Sequence, residues 1–466
     1  MSTAAVSQPT SASPFKNTAD LGNPATAGTS VFDPVTQQLT ITAAGSSVDK
    51  RSGHWSFSAV KGDFILTAEV SIEATLTPGQ SVGIRAESSG LSVIGSSHSD
   101  GISSLKWAAT GSQGGEVKSI KQGYSILQLE RERNRFILRA AHPGEPLQDI
   151  GEFQDKVGSP EMKIGLFTLS TGTTNTITFR NIRLDQPVSD TYDPDKEGHL
   201  GSRLELISIS DRHRTVIHTS DQRFEAPNFM PDGKKLLFNQ DGSLFTISTA
   251  GGVTEKFNTG FANRNNNDHV ISFDGKLLGI SHHREGMPGF GSTVYYLPIA
   301  GGEPILVTPE TPSYLHGWSA DNKAVVYVAQ RNGSSQYHIY RKPIDGGPEV
   351  QLTFHKNGHV DGPEYSPDGQ WIYYNGSQSG TMQLWRMRPD GTGNEQLTFD
   401  ERNNWFPHLS PDGKWIAYLS FPPTINPNDH PSYKRVTLNL MPVNGGAPSV
   451  IAYLYGGQGT INVPSW

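Results

Sequence analysis

Apolar and polar residues alternate along most of this chain in short runs separated by Gly, Pro, Ser and Asn. Runs such as LTITA, DFILTAEV and RFILRAA occur in the first part, and KKLLF, AVVYVA and QWIYY occur in the second. Alternation with period two, rich in β-branched and aromatic residues, is typical of strands rather than helices. The pattern therefore predicts an all-β protein.

One motif recurs five times in the second part of the chain. Its copies read PNFMPDGKKLLFN, VISFDGKLLGISHH, HGWSADNKAVVYVA, PEYSPDGQWIYYN and PHLSPDGKWIAYLS. The Asp that they share stands at positions 232, 274, 321, 368 and 412. Its spacing of 42 to 47 residues suits one four-stranded propeller blade.

Each copy predicts the same local structure. A strand enters a Ser-Pro-Asp-Gly type turn, in which Pro sets φ and Gly takes a positive φ. We expect the shared Asp to be a structural hydrogen-bond acceptor of that turn. Three further strands follow in each copy. The first is of the kind QWIYY, the second of the kind HIYRKPI and the third of the kind VQLTF.

The two ends of the repeat region predict a sixth blade. LELISIS (204–210) and TVIHTS (215–220) have the pattern of outer strands, and GGQGTINVPSW (456–466) has that of an inner strand. Joining chain ends in one blade closes a ring without leaving an edge. Because the turn and second strand are missing, we expect this blade to be short or the chain to be truncated.

The five copies resemble the TolB-like propeller repeat, also called the PD40 repeat, over residues 202–466. That superfamily includes the periplasmic TolB scaffold, the propellers of prolyl-oligopeptidase relatives and the oligogalacturonide lyases. The resemblance implies a six-bladed β-propeller. It does not imply one function, because propellers carry many unrelated ones.

The first part of the chain predicts a separate antiparallel β-sandwich. GDFILTAEVSIE, SVGIRAE, LQLERERNRFILRA and FRNIRL are similar to the concanavalin/laminin-G-like jelly rolls often fused to such propellers. That resemblance implies either a carbohydrate-binding domain or a spacing module without a ligand. The predicted boundaries are a flexible N-terminus (1–30), the sandwich (31–186), a Pro/Asp-rich linker (187–201) and the propeller (202–466).

Composition and charge remove several function classes. The net charge is −7 without a basic cluster, which argues against nucleic acid as a partner. There are no cysteines, which excludes disulfides and thiolate sites. We find no apolar run long enough for a membrane span. The first 30 residues lack a secretion signal, so we expect a cytoplasmic protein if the chain is full length and a periplasmic or secreted one if it is a mature form.

Polar residues concentrate where the inner strands of a propeller would meet. Loops that enter the inner strand and leave the second strand lie on one face and form a funnel, the default binding site. The candidate catalytic residues there are His282, His283, Arg331, Asp268, Asp361 and Glu364. The candidate substrate-binding residues are Glu225, Asn228, Asn267, Asn375, Asn404 and Trp405.

The lyase branch of the superfamily implies a metal-assisted reaction on an acidic oligosaccharide. By that analogy His269, His316, His408 and Gln458 would hold a divalent ion such as Mn²⁺ or Ca²⁺. His282 or His283 would be the base, and Arg331 would bind a substrate carboxylate. No organic cofactor is expected.

Two alternatives remain beside a lyase of oligosaccharides or polysaccharides. One is a non-catalytic scaffold that grips a protein partner or a glycan in the funnel. The other is a glycosidase whose carboxylate pair comes from Glu225, Asp268, Asp361 and Glu364.

Overall fold

The computed structural model describes residues 12–45, 51–71, 76–111, 113–156, 158–287 and 291–466. It divides into two compact units. One covers the described residues between 12 and 192 together with 207–215, and the other covers 193–206 and 216–466.

The first unit is built from fourteen strands in two antiparallel sheets. The strands are β1 (Asn17–Leu21), β2 (Thr29–Asp33), β3 (Gln38–Ala43), β4 (Arg51–Lys61), β5 (Phe64–Val70), β6 (Ser81–Ser88), β7 (Leu91–His98), β8 (Ile102–Ala109), β9 (Gly115–Gln122), β10 (Ile126–Glu132), β11 (Arg135–Ala141), β12 (Gln148–Gln154), β13 (Glu161–Thr171) and β14 (Asn175–Asp185). One sheet has the order β1-β4-β13-β6-β7-β8-β9 and the other β12-β11-β10-β5-β14-β3-β2.

The larger hydrophobic cluster of this unit contains side chains of both sheets. In β3, Leu39, Ile41 and Ala43 are buried while their neighbours are half-exposed, as expected for a strand with one face on a core. The first unit is therefore an antiparallel two-sheet sandwich. Its finer likeness to concanavalin-type jelly rolls stays a prediction.

Regular structure also occurs in segments for which the sequence predicts none. Residues 17–21, inside the segment predicted as flexible, form β1 and pair with β4. Residues 194–197, inside the predicted linker, form a one-turn helix α1 (Pro194–Glu197), which Asp193 caps through the backbone N–H of Asp195. Both elements are short and polar, so neither produces a periodic apolar pattern.

Leu138 on β11 provides a test of the sandwich core. Its side chain is fully buried, so Leu138→Ala is expected to lower the free energy of unfolding by about 2–5 kcal/mol through lost apolar contact and a cavity. Val31→Ala on the exposed face of β2 is the control, with an expected change of roughly 0.5 kcal/mol or less. Urea-dependent hydrogen exchange in β11 measures both, and equal values would contradict the assignment of Leu138 to the core.

The second unit contains five four-stranded antiparallel sheets and most residues of one two-stranded sheet. The two-stranded sheet consists of β15 (Ser202–Ile207) and β16 (Arg214–Ser220). The blades are β17 (Glu225–Phe229), β18 (Lys235–Gln240), β19 (Ser243–Ser248) and β20 (Glu255–Lys256); β21 (Asn265–Ile271), β22 (Leu277–His283), β23 (Ser292–Pro298) and β24 (Ile305–Leu306); β25 (Ser313–Trp318), β26 (Ala324–Ala329), β27 (His338–Pro343) and β28 (Val350–Gln351); β29 (Val360–Tyr365), β30 (Ile372–Gly376), β31 (Gln383–Met387) and β32 (Glu395–Gln396); and β33 (Asn403–Leu409), β34 (Trp415–Phe421), β35 (Lys434–Pro442) and β36 (Ser449–Gly456).

The repeated turns have the predicted structural role. In the turn between β33 and β34, Oδ1 of Asp412 accepts from the Ser410 hydroxyl at 2.6 Å and from the backbone N–H of Lys414 at 3.1 Å. Asp274, Asp321 and Asp368 accept equivalent bonds in their own turns. The prediction that these aspartates stabilise turns is confirmed.

The prediction of six blades was wrong in its count, because the described chain forms five four-stranded blades. Residues 457–466 form no strand. They instead lie between the first and fifth blades, where the backbone N–H of Ala226 donates to Gly459 at 2.8 Å and the indole N–H of Trp466 donates to the carbonyl of His408 at 3.1 Å. Isolated backbone and side-chain hydrogen bonds replace the strand pairing that the pattern predicts.

Membrane-spanning helices do not occur among the described residues, where none is long and apolar enough to cross a bilayer.

Candidate functional site

The inner strands of the five blades carry most of the predicted site residues, and each contains a break in its pairing register. Such bulges re-aim the side chains around them. In β29 the bulge contains Gly362, where a Cβ would lie 2.9 Å from the side-chain oxygen of Asn375. The bulge follows directly on Asp361.

Asp361 lies among three imidazoles. Its Oδ1 atom is 2.8 Å from Nε2 of His316, and its Oδ2 atom is 3.7 Å and 3.9 Å from Nε2 of His359 and His430. Burial alone would raise the pKa of Asp361, but the charge and hydrogen bond of His316, followed by those of His359, hold this pKa well below its usual range. Asp361 is therefore an ionised carboxylate at neutral pH.

Asp268 stands on the inner strand of another blade, and its pKa is shifted in the opposite direction to that of Asp361. It is 4% exposed, and burial raises its pKa to about 7 against the favourable charge of His316. The negative charges of Asp361 and Glu225 raise the pKa further. The Asn266 side chain donates to Oδ2 of Asp268 at 2.6 Å. A substantial fraction of Asp268 is therefore protonated at neutral pH.

His316 interacts electrostatically with both acids, Asp361 and Asp268. Burial lowers its pKa, but the charges of Asp361 and then Asp268 outweigh burial, so the pKa is raised. We call Asp268, His316 and Asp361 the acid–base cluster. This cluster can hold a proton on Asp268 and a negative charge on Asp361 at the same pH.

A cavity of about 420 Å³ is lined by Asn266 and Asn267, the two residues that precede Asp268 in the sequence. Its wall includes Arg223, Glu225, Asn265, Asn267, His283 and Gln458. The wall also includes Asn266, whose side chain binds Asp268, and Tyr314. The cavity therefore reaches a residue that holds the cluster in place.

Three of the four predicted metal ligands have side-chain atoms committed to other partners. His408 uses Nδ1 on Glu364 at 2.7 Å and Nε2 on the carbonyl of Ile461 at 2.6 Å. His316 is bound to Asp361, and Oε1 of Gln458 accepts from Asn462 at 2.9 Å.

The fourth predicted ligand, His269, is fully buried, and burial lowers its pKa to about 4. Across the described ranges, no group of three or more His, Asp or Glu side chains is arranged to hold a metal ion. The predicted Mn²⁺ or Ca²⁺ set does not fit these contacts, and no chemical step is derived through it.

Arg331 does not offer a free guanidinium to a substrate. It makes a bidentate contact with Glu349, with distances of 2.8 and 2.9 Å, and donates to the carbonyl of Pro312 at 3.0 Å and the hydroxyl of Ser313 at 2.8 Å. The guanidinium also lies 5.4 Å from the ring centre of Tyr340. The predicted carboxylate-binding role of Arg331 stays a prediction, and its donors are used inside the third blade.

The two histidines that end β22 differ in their surroundings. His282 is buried, and its ring packs edge-on against Phe261 and Tyr295 at 5.7 and 6.1 Å. Burial lowers the pKa of His282. His283 lines the cavity. Of the two predicted bases, only His283 is placed at the candidate site.

Most of the predicted substrate-binding residues have structural roles. Asn228 donates to the carbonyl of Pro464 at 2.6 Å, and Asn375 accepts from the backbone N–H of Phe406 at 3.0 Å. Asn404 and Trp405 are fully buried. Asn404 accepts from the hydroxyl of Ser420 at 2.5 Å, and Trp405 packs on His430 at 4.5 Å. Only Glu225 and Asn267 of this predicted set line the cavity.

Sequence reasoning missed His430, Arg223 and Tyr314. His430 lies in the loop that leaves β34, the second strand of the fifth blade. Loops at that position belong to the predicted funnel, so the rule that identified His282 and His283 could have found His430. Arg223 and Tyr314 have no such signal, because a single Arg or Tyr near a strand is common.

Comparison with known proteins places the chain among the TolB-like propellers. A family model described as the TolB beta propeller domain matches residues 317–426. An uncharacterized protein of Agrobacterium fabrum is 45% identical over 271 residues, which cover 58% of this chain and 89% of the relative.

One solved structure supports the same fold. One described as a putative TolB from Agrobacterium tumefaciens has 45% identity and a TM-score of 0.54, and it covers 58% of this chain and 95% of its own. A manganese complex of oligogalacturonate lyase has 12% identity and a TM-score of 0.37, over 55% of this chain and 73% of its own. That second likeness is too weak to bear on function. The chain belongs to the family of TolB-like β-propeller proteins represented by the Agrobacterium fabrum protein.

Proposed function

We propose that the protein is a carbohydrate-active enzyme of the glycoside-hydrolase type, with Asp268 as the general acid and Asp361 as its ionised partner. The observation that carries this proposal is a pair of buried carboxyl groups whose pKa values both respond to one histidine, His316, which lies 2.8 Å from Asp361, and whose pKa values are shifted in opposite directions. Pairs of acids whose surroundings drive their pKa values apart are how enzymes assign acid and base roles.

The chemistry follows from the two protonation states. A protonated Asp268 would give its proton to the oxygen of a glycosidic bond as that bond breaks. The ionised Asp361 would stabilise the positive charge that develops on the sugar ring. A water molecule would then add to the anomeric carbon, and the Asp268 carboxylate would take the proton that this water loses, which restores the acid. His316 would act as a positioning residue, since it contacts Asp361 and its charge keeps this carboxyl ionised.

The two other predicted carboxylates, Glu364 and Glu225, make contacts that favour Asp268 and Asp361 as the catalytic pair. Glu364 is bound to His408 and to the backbone N–H of Leu409 at 3.1 Å, so it is used within the fold. Glu225 is paired with Arg223 at 2.6 Å. Asp268 and Asp361 are the pair left for catalysis among the four acids that the sequence singled out.

The Asp268→Asn variant tests the proposal. Asn cannot donate a carboxyl proton, so the expected loss of kcat/KM is about 10²–10⁴-fold, with binding retained. The measurement is release of reducing ends from a panel of oligosaccharides. Asp274→Asn, which changes an exposed turn acceptor of the same blade, is the matched control and should keep its activity. Full activity of Asp268→Asn would contradict the assigned role.

The products formed from the same panel of oligosaccharides distinguish a lyase from a hydrolase. A lyase would release unsaturated uronates that absorb in the ultraviolet, whereas a hydrolase releases reducing ends alone. The non-catalytic scaffold is favoured by the relative described as a putative TolB. It predicts no turnover and capture of a protein partner that His316→Ala weakens.

A further inference from the structure

The two acids of the proposed reaction are closed off from the cavity. Asp268 is 4% exposed and Asp361 is 9% exposed, and neither lines the cavity of about 420 Å³. A general acid has to come within hydrogen-bond reach of the atom that it protonates, and a stabilising carboxylate has to stand next to the charge that develops. A part of the wall therefore has to move before a substrate can meet this pair.

The cover over Asp361 comes from three blades. His316 belongs to β25 of the third blade and contacts Oδ1 of Asp361 at 2.8 Å. His359 directly precedes β29 of the fourth blade, and its carbonyl accepts from the backbone N–H of Ser377 at 2.9 Å. His430 comes from the loop between β34 and β35 of the fifth blade, and its Nε2 atom lies 3.9 Å from Oδ2 of Asp361. Two of the three histidines are thus held on or beside paired strands, whereas His430 lies in a loop.

We call this loop, residues 422–433, the strap. It is longer than the corresponding loops of the third and fourth blades, which cover 330–337 and 377–382. Its backbone makes two turns of its own, and the N–H of Gln458 donates to the carbonyl of Pro431 at 3.3 Å. Gln458 also lines the cavity, so the strap borders the cavity as well as Asp361. Segments outside the sheets open at a lower free energy than paired strands.

Polar side-chain contacts hold the strap to the neighbouring elements. The Ser377 hydroxyl donates to Oδ1 of Asn428 at 2.6 Å, and the side-chain amide of Asn403 donates to the carbonyl of Ile425 at 3.0 Å. A neutral hydrogen bond of this kind changes a closing equilibrium by roughly two- to tenfold. The strap can therefore open without loss of the blades.

The ring of His430 closes the strap onto the acid–base cluster. It packs edge-on against Trp405 at 4.5 Å and against Phe406 at 5.3 Å, and both of these rings are fully buried. Because the two rings are fixed on β33, they set the place of the imidazole beside Asp361 when the strap is closed. The closed strap thus covers one oxygen of this carboxylate.

We propose that the strap is a gate over Asp361, which opens to admit a substrate and closes to keep water from the acid–base cluster. Closing loops of this kind sequester a reaction from solvent. The inference rests on the proposed function and adds how access to its site is controlled. It requires that a strap held shut protects Asp361.

A cross-link tests this requirement without any substrate. The chain contains no cysteine, so Ser377→Cys with Asn428→Cys introduces two thiols where the side chains are now 2.6 Å apart. Oxidation, or a short thiol cross-linker, holds the strap shut. A water-soluble carbodiimide with an amine then labels accessible carboxyl groups, which peptide mapping locates. Asp361 is expected to react at least about tenfold more slowly in the locked protein than in the free dithiol.

The locked and free forms share one sequence, so each is the control of the other. Asp274, in an exposed turn, should react equally in both forms. Equal rates at Asp361 in the two forms overturn the gate.

Turnover of oligosaccharides by the same two forms gives the second test. The locked protein is expected to lose at least about tenfold in kcat/KM and to regain it when the disulfide is reduced. Full turnover by the locked protein overturns the gate and leaves the proposed function in place. No turnover by either form or by the unchanged protein overturns the proposed function, and the labelling of Asp361 then decides the gate alone.

An opening variant tests the named contact. Asn428→Ala removes the hydrogen bond from Ser377 and should raise the labelling rate of Asp361 roughly two- to tenfold. Asn444→Ala, in the exposed turn between β35 and β36 of the same blade, should leave that rate unchanged. No rise for Asn428→Ala contradicts the proposal that this contact holds the gate shut.

Discussion

At about pH 8, Asp268→Asn is expected to increase the free energy of unfolding of the propeller by an amount on the order of 4 kcal/mol. The unchanged protein must bury an ionised carboxylate at this pH, whereas the variant buries a neutral amide of nearly the same shape. The acid–base cluster is thus predicted to reduce stability in return for a protonated acid near neutral pH. Such stability–activity conflicts are common at active sites.

The direction follows from the two pKa values of Asp268. The folded protein holds this pKa at about 7, above the usual 3.8. Between these values the folded state binds the proton and the unfolded state does not, so stability falls as the pH rises from about 4 to about 7. The lowered pKa of Asp361 has the opposite effect, with stability lost as the pH falls below about 4.

Urea-dependent hydrogen exchange in β21 at about pH 5 and about pH 8 measures this prediction. The unchanged protein should lose stability between the two values. Asp268→Asn should lose less, because it lacks the titrating carboxyl group, and the difference between the curves measures Asp268 together with its effect on the pKa of His316. Asp274→Asn is the control and should follow the unchanged protein. Parallel curves for Asp268→Asn and the unchanged protein would show that Asp268 is ionised throughout.

The propeller could be predicted because its signal is local and repeated. Asp412 accepts from Ser410 and Lys414, two residues away on either side, so five turns could be identified without knowing what packs on them. The blade count could not, because residues 457–466 are held by hydrogen bonds to residues that are distant in the sequence. Ser465, for example, donates to the carbonyl of Pro227 at 2.7 Å.

The sequence could predict where in the propeller the candidate site lies, but not which of its residues contact one another. Sequence position indicates which residues stand on inner strands, and it identified Asp268, His316 and Asp361. It cannot show which of them meet, because His316 and Asp361 belong to different blades and are joined only by the geometry of the ring. His408 occupies a comparable position in the repeat, yet it binds Glu364 and the chain end instead.

The predicted metal set failed to fit for the same reason. The repeat places His316 and His408 at similar offsets, which favours a shared centre. Their partners, Asp361 and Glu364, both come from β29 but from opposite sides of its bulge. A bulge adds one residue and turns neighbouring side chains in different directions, and no periodic pattern reports it.

His408→Ala is expected to destabilise the propeller by about 3–5 kcal/mol. The side chain is 3% exposed. Its Nδ1 atom lies 2.7 Å from Glu364, and its Nε2 atom binds the carbonyl of Ile461. The substitution removes the imidazole from the buried Glu364 carboxylate, which keeps the hydrogen bond from the backbone N–H of Leu409. It also frees the segment that lies between the first and fifth blades.

A double variant separates the charge from the packing. If the unpaired carboxylate causes most of the loss, His408→Ala combined with Glu364→Gln should be more stable than His408→Ala alone, because the Gln is neutral. Hydrogen exchange of residues 457–466 should rise in both variants, since both lack the contact with Ile461. The control is His359→Ala, whose half-buried ring lies 3.7 Å from Asp361 and which should leave exchange of that segment unchanged. A loss below roughly 1 kcal/mol for His408→Ala would show that other contacts hold the ring closed.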